Sequence, residues 1–247
     1  MKLVTYKIEN LAVEQIGVLQ NKIVYNLNNY FGNISLIDLI QIKNYQDKIS
    51  KFICNKDCLK HDIKQIKLLP PIPKPNSFRD AYAFRTHVET SRKNRGLGMI
   101  REFDEFPVFY FSNHNSMFGD RQNIELMPDH FYKLDYELEI AIIIGKKGKN
   151  ILVEEADDYI AGFCILNDLS ARKLQMEEMK LNLGPAKGKD FANVIGPYLV
   201  TTDELESKSI KTENGKKYDL KMSCHINGKL SSEGNVIDMH WTFAEII

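Results

Sequence analysis

The sequence DYELEIAIIIGK, residues 135–146, predicts a β-strand that ends at Gly145. Side chains two residues apart on a strand share a face, so Glu137 and Glu139 point to the same side. The residues after Glu139 are apolar on both faces, which predicts a strand buried within a sheet. Two buried carboxylates on one face repel and lose hydration, which costs several kcal/mol unless a cation or a proton compensates. The alternative is a strand whose first residues are exposed and keep both acids in water.

A second polar group follows the next predicted strand. The sequence ILND, residues 165–168, is predicted to end that strand and to open a helix over residues 169–181. Asp168, Arg172 and Gln175 are then spaced i, i+4 and i+7, which places them on one stripe of the helix. Together with the two glutamates, the aspartate would make an all-oxygen site of the kind that suits Mg²⁺, Ca²⁺ or Mn²⁺. Alternatively, Asp168 is a simple N-cap, and Arg172 forms a surface ion pair with it that stabilises the fold by less than about 1 kcal/mol.

Two further stretches carry candidate groups. His87 follows Asp80 by seven residues, so on a helix the two would share a face, although a lone histidine is also common as a structural or surface residue. The sequence GPAKGKDF, residues 184–191, contains the glycines and lysines of a phosphate-binding loop but not its spacing. We therefore interpret it as a tight loop that presents Lys189.

The remaining pattern predicts short strands and few helices. Ser35 is a plausible N-cap for a short helix over residues 35–42. Asn227-Gly228 predicts a hairpin turn. The other predicted elements are strands over residues 3–8, 18–25, 163–166, 194–200 and 220–226, a turn leading into a helix over residues 79–95, a β-rich aromatic run over residues 105–114, and a short helix over residues 156–161. Strands outnumber helices, so the pattern predicts a β-rich α+β fold.

Four prolines in the sequence LLPPIPKPNSF, residues 68–78, predict a stiff extended linker, because proline fixes φ and donates no backbone hydrogen bond. This is the best candidate for a domain boundary. We predict a small N-terminal module over residues 1–69 and a main domain over residues 70–247.

Composition excludes several classes of protein. The chain has 247 residues, and its 33 basic and 33 acidic residues cancel, which disfavours a nucleic-acid partner. The first residues do not form a signal peptide, and the longest apolar run is far too short to span a membrane. The four cysteines lack the spacing of a zinc finger and are interpreted as reduced thiols. We expect a cytoplasmic protein.

Three motifs in their order and spacing resemble the fumarylacetoacetate hydrolase superfamily. They are DYELEIAIIIGK, YIAGFCILNDLSARKLQ and GPAKGKDFANVIGPYLV, which cover residues 135–200. The upstream sequence SFRDAYAFRTHVETSRKNRG extends the resemblance to Ser77 and favours members like fumarylacetoacetase. The resemblance implies a β-rich roll or sandwich with short helices that forms a homodimer.

The resemblance also implies roles for the matching residues. It assigns divalent-metal binding to Asp80, Glu137, Glu139 and Asp168. His87 matches the general base, and the groups that hold substrate oxygens match Arg172, Gln175 and Lys189. Further substrate contacts match Tyr82, Arg95 and Tyr110, although Arg95 is offset by one residue. The implied activity is hydrolysis of a carbon–carbon bond in a 1,3-diketo acid such as fumarylacetoacetate or an acylpyruvate.

The sequence departs from the family pattern in two places. It ends at Ile247 in an apolar, helix-like segment without a stop signal, whereas relatives continue for several strands, so we expect a truncated chain of reduced activity. His87 also lacks an acid at i+3, where Thr90 stands, and Glu89 at i+2 lies on the wrong helix face. Two alternatives therefore stay open: a decarboxylase or tautomerase of oxaloacetate-like or hydroxymuconate-like acids, and a non-catalytic protein that binds a metal and a keto acid.

Overall fold

The computed structural model describes residues 1–9, 11, 13–55 and 57–247. The first strands are β1 (Lys2–Ile8), β2 (Gln15–Gln20), β3 (Ile23–Asn26), β4 (Lys60–Asp62), β5 (Ile66–Leu68), β6 (Arg79–Asp80), β7 (Tyr110–Phe111) and β8 (Met117–Phe118). They are followed by β9 (Leu134–Ile144), β10 (Ile160–Ala171), β11 (Asn193–Ile195), β12 (Leu199–Thr201), β13 (Ser209–Thr212), β14 (Gly215–Tyr218), β15 (Lys221–Ile226) and β16 (Lys229–Asn235).

The α-helices are short. They are α1 (Asn28–Phe31), α2 (Leu36–Ile40), α3 (Tyr45–Ile53), α4 (Arg85–Lys93), α5 (Pro128–Phe131), α6 (Val153–Ala156), α7 (Arg172–Glu178) and α8 (Phe243–Ile246). Several 3₁₀ turns lie between these elements, among them Arg101–Asp104 and Ala186–Gly188. The fold is mixed α+β and rich in sheet, as the sequence predicts. Within the described residues, no helix is long and apolar enough to cross a membrane.

A ten-stranded sheet organises the molecule. Its order is β4-β3-β2-β1-β12-β10-β11-β8, and β5 pairs with β1 while β9 pairs with β10. The strand pairs are antiparallel except for β11 and β8, which are parallel. Because β10 pairs with β9, β11 and β12, residues near its C-terminal end lie deep within the sheet.

The two faces of β10 contact different apolar cores. Leu166 on one face belongs to a core with Leu3 and other buried residues of the N-terminal strands and helices. Phe163 on the other face belongs to a core with Met222 and Phe243 from the C-terminal part of the chain. Side chains alternate across a strand, so each face of the β9–β10 pair has its own packing layer.

The N-terminal predictions are confirmed in part. The predicted strand over residues 3–8 is β1, but residues 18–25 form the hairpin of β2 and β3 rather than one strand. The hairpin turns at Asn21 and Lys22, whose φ values of 47° and 70° both lie in the left-handed region that a tight two-residue hairpin turn requires.

The predicted N-cap of α2 is confirmed. The Ser35 hydroxyl accepts a hydrogen bond from the Asp38 backbone N–H at 3.3 Å, and the Asp38 carboxylate accepts one from the Ser35 N–H at 3.0 Å. This reciprocal capping box fixes the start of the helix. The helix ends at Ile40, two residues earlier than predicted.

The β9 and β10 strands differ from the prediction in length and burial. β9 begins at Leu134 and ends one residue before Gly145, but its residues are half-buried or exposed rather than buried on both faces. In the described part of the chain, β9 pairs only with β10. β10 runs from Ile160 through Ala171 and forms eleven residue pairs with β9. Because this pairing continues beyond Leu166, the strand extends past its predicted end. The predicted helix over residues 169–181 is wrong in its first turn: α7 begins at Arg172.

Other elements also depart from the prediction. The predicted helix over residues 156–161 is wrong: α6 ends at Ala156, residues 157–159 form a 3₁₀ turn, and Ile160 and Ala161 begin β10. Residues 194–200 form two strands, β11 and β12, separated at Gly196-Pro197. The aromatic run over residues 105–114 contributes only the two residues of β7. The hairpin at Asn227-Gly228 is confirmed by the pairing of β15 with β16.

Residues 69–78 contain no helix or strand, as the prolines predict. β1 pairs with β12, so strands from both sides of the predicted boundary at residue 70 share one sheet. The division into a module of residues 1–69 and a main domain of residues 70–247 stays a prediction.

Candidate metal centre and active site

The β9–β10 pairing sets the positions of three predicted carboxylates. Glu137 lies directly opposite Asp168, and Glu139 lies opposite Leu166. Directly opposed residues of antiparallel strands point to the same side, so all three carboxylates share one face of the sheet. The shared face predicted for the two glutamates is confirmed. Asp168 lies on the strand rather than on the helix, because the ladder with β9 continues past it.

A fourth carboxylate comes from a separate small sheet. Asp80 ends β6 and lies opposite Tyr110 of β7, and the Tyr110 hydroxyl donates to Asp80 Oδ2 at 2.9 Å. The same hydroxyl lies 3.4 Å from Asp168 Oδ2. Oxygens of Asp80, Glu139 and Asp168 all lie within 4.8 Å of one another. We call these three residues the acidic triad.

The acidic triad has the chemistry of a cation site. Asp80 and Asp168 are buried, and Asp168 Oδ1 has no hydrogen-bond partner among the described residues. Burial, followed by the charge of the Asp80 carboxylate, raises the pKa of Asp168 to about 7 even though Lys189 opposes the shift. Burial and the charges of Asp80 and Asp168 raise the pKa of Glu139 well above its usual range. A divalent cation would replace the protons that these carboxylates otherwise retain, and an all-oxygen donor set favours Mg²⁺, Mn²⁺ or Ca²⁺.

Glu137 lies beside the acidic triad, but its contacts are with cations. Its Oε1 lies 2.6 Å from the Arg172 guanidinium, and its Oε2 lies 3.0 Å from Lys189 Nζ. Burial raises the pKa of Glu137, but the charges of Lys189 and Arg172 outweigh burial and lower the pKa to about 2. Its assignment as a metal ligand stays a prediction.

Lys189 joins the two parts of the site. It is buried and contacts the Asp168 carboxylate as well as Glu137. Burial lowers the pKa of Lys189, but the two carboxylates outweigh it and raise the pKa above its usual value. The loop that presents this lysine is fixed by Glu178, whose carboxylate accepts hydrogen bonds from the backbone N–H groups of Lys187 and Gly188 at 3.1 and 2.9 Å. The predicted tight loop is therefore anchored on the last residue of α7.

Arg172 and Gln175 lie in the first turn of α7. The Arg172 guanidinium donates to Gln175 Oε1 at 3.1 Å and to Asp135 Oδ2 at 2.8 Å. The predicted helical stripe from Asp168 to Gln175 is wrong, since Asp168 precedes the helix. The residues still converge because Arg172 follows β10 directly and reaches back to Glu137 on β9. Sequence reasoning missed Asp135, although its i, i+2 spacing from Glu137 was a usable signal.

His87 lies on α4, which begins at Arg85, so it does not share a helix face with Asp80 of β6. The predicted common helix is wrong because residues 81–84 are extended or irregular. The histidine is exposed and lines the cleft that also contains Glu137. Glu89 points to Arg85, at 3.1 Å, rather than to the histidine.

One large open cleft, about 2610 Å³ in volume, connects most of the predicted site residues. Its walls include residues from β6, β7, β9, α4, α7, the lysine loop and the segments on either side of α4: Asp80, Tyr82, His87, Arg95, Tyr110, Glu137, Glu139, Arg172, Gln175 and Lys189. Asp168 lies beneath this surface, fully buried. Tyr82 and Arg95 are exposed at the cleft, whereas the Tyr110 hydroxyl is hydrogen-bonded to Asp80 of the acidic triad. The substrate contacts of all three residues stay predictions.

Asn193 is a polar residue near the site that sequence reasoning did not single out. It is fully buried and lies directly opposite Asp168 on β11. Its Nδ2 donates to the Asn113 carbonyl at 3.1 Å. The signal available was a polar residue directly before the predicted strand over residues 194–200, four positions after Lys189.

Comparisons with known proteins agree with this architecture. The family model of the fumarylacetoacetate hydrolase C-terminal domain matches residues 76–247. The oxaloacetate tautomerase YisK of Bacillus subtilis is 28% identical over 189 residues, which are 76% of this chain and 57% of that protein. A maleylpyruvate hydrolase of Aquipseudomonas alcaligenes is 25% identical over 197 residues, which are 78% of this chain and 63% of that protein. The chain thus spans less than two thirds of the length of these two relatives.

A solved structure shares the whole fold. The maleylpyruvate hydrolase of Sphingobium sp. SYK-6, crystallised with manganese(II) and pyruvate, superposes with a TM-score of 0.73 over 100% of this chain and 81% of that chain, at 17% identity. The family includes hydrolases, tautomerases and isomerases. From the sequence match and the shared fold, we conclude that this chain belongs to the fumarylacetoacetate hydrolase family.

Proposed function

We propose that this chain is a divalent-metal-dependent enzyme that hydrolyses a carbon–carbon bond in a 1,3-diketo acid such as fumarylacetoacetate or an acylpyruvate. One observation carries the proposal: the acidic triad, the cations Lys189 and Arg172, and His87 meet around one cleft. Hydrolysis of such a bond needs these three kinds of group, namely a Lewis-acid site, donors for a developing negative charge, and a base for water.

The acidic triad would hold the metal ion, with Mg²⁺, Ca²⁺ or Mn²⁺ as the candidates. When bound, such an ion supplies Lewis acidity toward the two carbonyl oxygens of a 1,3-diketo acid. The manganese and pyruvate bound to the maleylpyruvate hydrolase of the same fold support this choice of metal and ligand class.

Lys189 and Arg172 supply positive charge next to the triad. Their ion pairs with Glu137 keep both groups charged and hold them at the cleft wall. There they donate hydrogen bonds to substrate oxygens that gain negative charge, with Gln175 beside them. Each such donor is worth roughly 3–4 kcal/mol in a site that excludes water.

His87 acts as the general base. It removes a proton from water as the water oxygen attacks the substrate carbonyl carbon. The bond between that carbon and its neighbour then breaks, its electron pair becomes the enolate of the departing keto acid, and protonation of this enolate completes the products. The products are a carboxylic acid and a keto acid or methyl ketone.

Tautomerisation or decarboxylation of an oxaloacetate-like or hydroxymuconate-like acid is a second candidate. It is supported by the 28% identity to the oxaloacetate tautomerase YisK over 76% of this chain. The reaction requires the same metal and cations, because its intermediate is also an enolate, but it needs no attacking water. A third possibility, binding of a metal and a keto acid without turnover, would follow if the residues of this chain do not suffice for catalysis.

Product analysis separates these candidates. The purified chain is incubated with Mg²⁺ and either acetylpyruvate or oxaloacetate, the products are identified by chromatography, and keto–enol exchange of oxaloacetate is followed by the ultraviolet absorbance of the enol. We expect acetate and pyruvate from acetylpyruvate, and loss of this hydrolysis with retained Mg²⁺ binding in His87→Ala. Hydrolysis that persists in His87→Ala would contradict the general-base role. Keto–enol exchange of oxaloacetate without hydrolysis of acetylpyruvate would favour the tautomerase, and no reaction of either acid would favour the binding protein.

We also propose that the partner of this chain is a small keto acid rather than a nucleic acid or a membrane, and that the protein acts in the cytoplasm as a homodimer. The balanced charge and the free cysteines support the first two points, and the family resemblance supports the third. Light scattering coupled to size-exclusion chromatography tests the dimer, since a monomer mass at micromolar concentration would contradict it.

A further inference from the structure

Met239 and His240, near the C-terminal end of the chain, contact the stretch between Asp80 and His87. The His240 backbone N–H donates to the Ala83 carbonyl at 2.8 Å. Ala83 is itself buried in the core that contains Met239. Residues of the C-terminal segment therefore hold the backbone that connects a triad carboxylate to the proposed base.

A group of stacked rings extends this contact to the wall of the cleft. Phe103 is only 4% exposed, although it belongs to a short 3₁₀ turn. Its ring is stacked on Tyr82 with a centroid distance of 5.9 Å and an interplanar angle of 11°, and it lies 5.2 Å from the His240 ring. The Trp241 indole N–H donates to the Phe103 carbonyl at 3.1 Å. Such ring pairs contribute both buried area and a preferred orientation. The Phe103 ring therefore fixes the orientation of the Tyr82 ring.

The first turn of α4 is attached to the same group. Arg85, the first residue of the helix, contacts the Asp104 carboxylate, and its guanidinium lies over the Phe103 ring at 6.0 Å. α4 has nine residues, and Val88 is its only buried one. A helix this short is marginal by itself, so its orientation depends on the contacts at its first turn.

We propose that Phe103 and Trp241 are positioning residues, which hold Tyr82 and the start of α4 so that His87 faces the acidic triad. The inference rests on the proposed function, because it assigns the two aromatic residues to the geometry of the base. They act through Tyr82 and Arg85 and do not touch the triad.

The first test compares Phe103→Leu with Phe103→Tyr, which keeps the ring, and with Phe106→Leu, which changes an exposed phenylalanine nearby. We expect kcat for acetylpyruvate to fall about tenfold or more in Phe103→Leu, because small displacements of a catalytic group are costly. The Mg²⁺ affinity should stay within about twofold of wild type, since the triad is unchanged. Phe103→Tyr and Phe106→Leu should retain the activity. A wild-type kcat in Phe103→Leu, or an equal loss of Mg²⁺ affinity and kcat, would overturn the inference.

A second measurement does not depend on activity. Hydrogen–deuterium exchange of the peptide spanning residues 85–93 should be about tenfold faster in Phe103→Leu and in Trp241→Phe, while exchange in β10 stays unchanged. Equal exchange of this peptide in wild type and variants would overturn the positioning role. If wild type does not hydrolyse acetylpyruvate but the exchange responds as expected, the proposed function fails and the positioning contact stands.

Discussion

Glu137 and Glu139 lie two residues apart on the same face of β9, yet their environments shift their pKa values in opposite directions. Glu137 contacts Lys189 and Arg172, and their charges overcome burial and lower its pKa to about 2. Glu139 is surrounded by Asp80 and Asp168, and burial together with these charges raises its pKa well above its usual range. One face of a strand can therefore supply a carboxylate that forms ion pairs with cationic side chains and, two residues on, a carboxylate that suits a metal site.

The largest expected effect is at Asp168, which belongs to both halves of this comparison. It is a member of the acidic triad and also contacts Lys189. Asp168→Asn removes a charged oxygen from the triad and leaves Lys189 with one carboxylate partner, so we expect a loss of turnover of roughly 10³-fold or more and loss of measurable Mg²⁺ binding. Isothermal titration calorimetry and a turnover assay check this. Asp129→Asn, at an exposed position, is the control. Unchanged Mg²⁺ affinity in Asp168→Asn would remove the residue from the metal site.

The next effect separates the two glutamates directly. Glu139→Gln should lower the Mg²⁺ affinity by roughly 100-fold, because it removes a member of the triad. Glu137→Gln should lower the affinity by less than about tenfold while lowering kcat, because Lys189 and Arg172 lose the carboxylate that holds them. Calorimetry gives the affinities, and the kinetics of both variants give kcat. Equal losses of Mg²⁺ affinity would show that Glu137 is a metal ligand after all.

The pH dependence of Mg²⁺ binding also distinguishes the acidic triad from Glu137. Metal binds the deprotonated carboxylates, and the pKa of Asp168 in the metal-free protein is about 7. Protons therefore compete with Mg²⁺ below that pH, and the affinity should rise from pH 6 to pH 8, by about tenfold per unit for each proton that the metal displaces from Asp168 and Glu139. Glu137, with a pKa of about 2, is charged throughout and contributes nothing to this change. Titrations at several pH values check the slope, and an affinity independent of pH would contradict the raised pKa.

The smallest expected effect concerns the packing of the loop that presents Lys189 against α7. A Cβ on Gly188 would lie 2.7 Å from backbone and side-chain atoms of Gln175, so the lysine loop and α7 would have to move apart. Gly188→Ala should therefore lower the free energy of unfolding by about 1–3 kcal/mol, which chemical denaturation measures. Gly184→Ala is unsuitable as a control because φ there is +95°; Gly98→Ala, where a Cβ meets open space, serves instead. A stability change no larger than in Gly98→Ala would show that the close packing of the loop on α7 is not needed.

The sequence predicted local features where neighbouring residues alone decide the outcome. The N-cap at Ser35, the hairpin at Asn227-Gly228 and the common face of the two glutamates are all confirmed, because each depends on side-chain spacing or on the conformation of a few residues. The prediction failed at Asp168, where the local pattern indicated a helix start. Pairing along the whole of β9 outweighs that local preference, since each residue pair adds ladder contacts that a sequence window does not contain.

The sequence patterns did not predict which distant elements pair with one another. Asp80 reaches the triad from a separate two-stranded sheet, and its alignment with His87 on one helix was wrong because residues 81–84 interrupt the helix. The ion pair of Asp135 with Arg172 emerged only from the packing of α7 on β9, and the position of Asn193 opposite Asp168 only from strand register.

The amino-acid sequence alone established which chemical groups this protein has and that the two glutamates of β9 face the same way, because alternation along a strand follows from backbone geometry. Its three motifs also identified the family. Only the tertiary structure decided which carboxylate meets lysine and arginine and which meets other carboxylates. That division depends on elements far apart in the chain, and the Coulomb energy between charges is set by their distances in space rather than their separation in sequence.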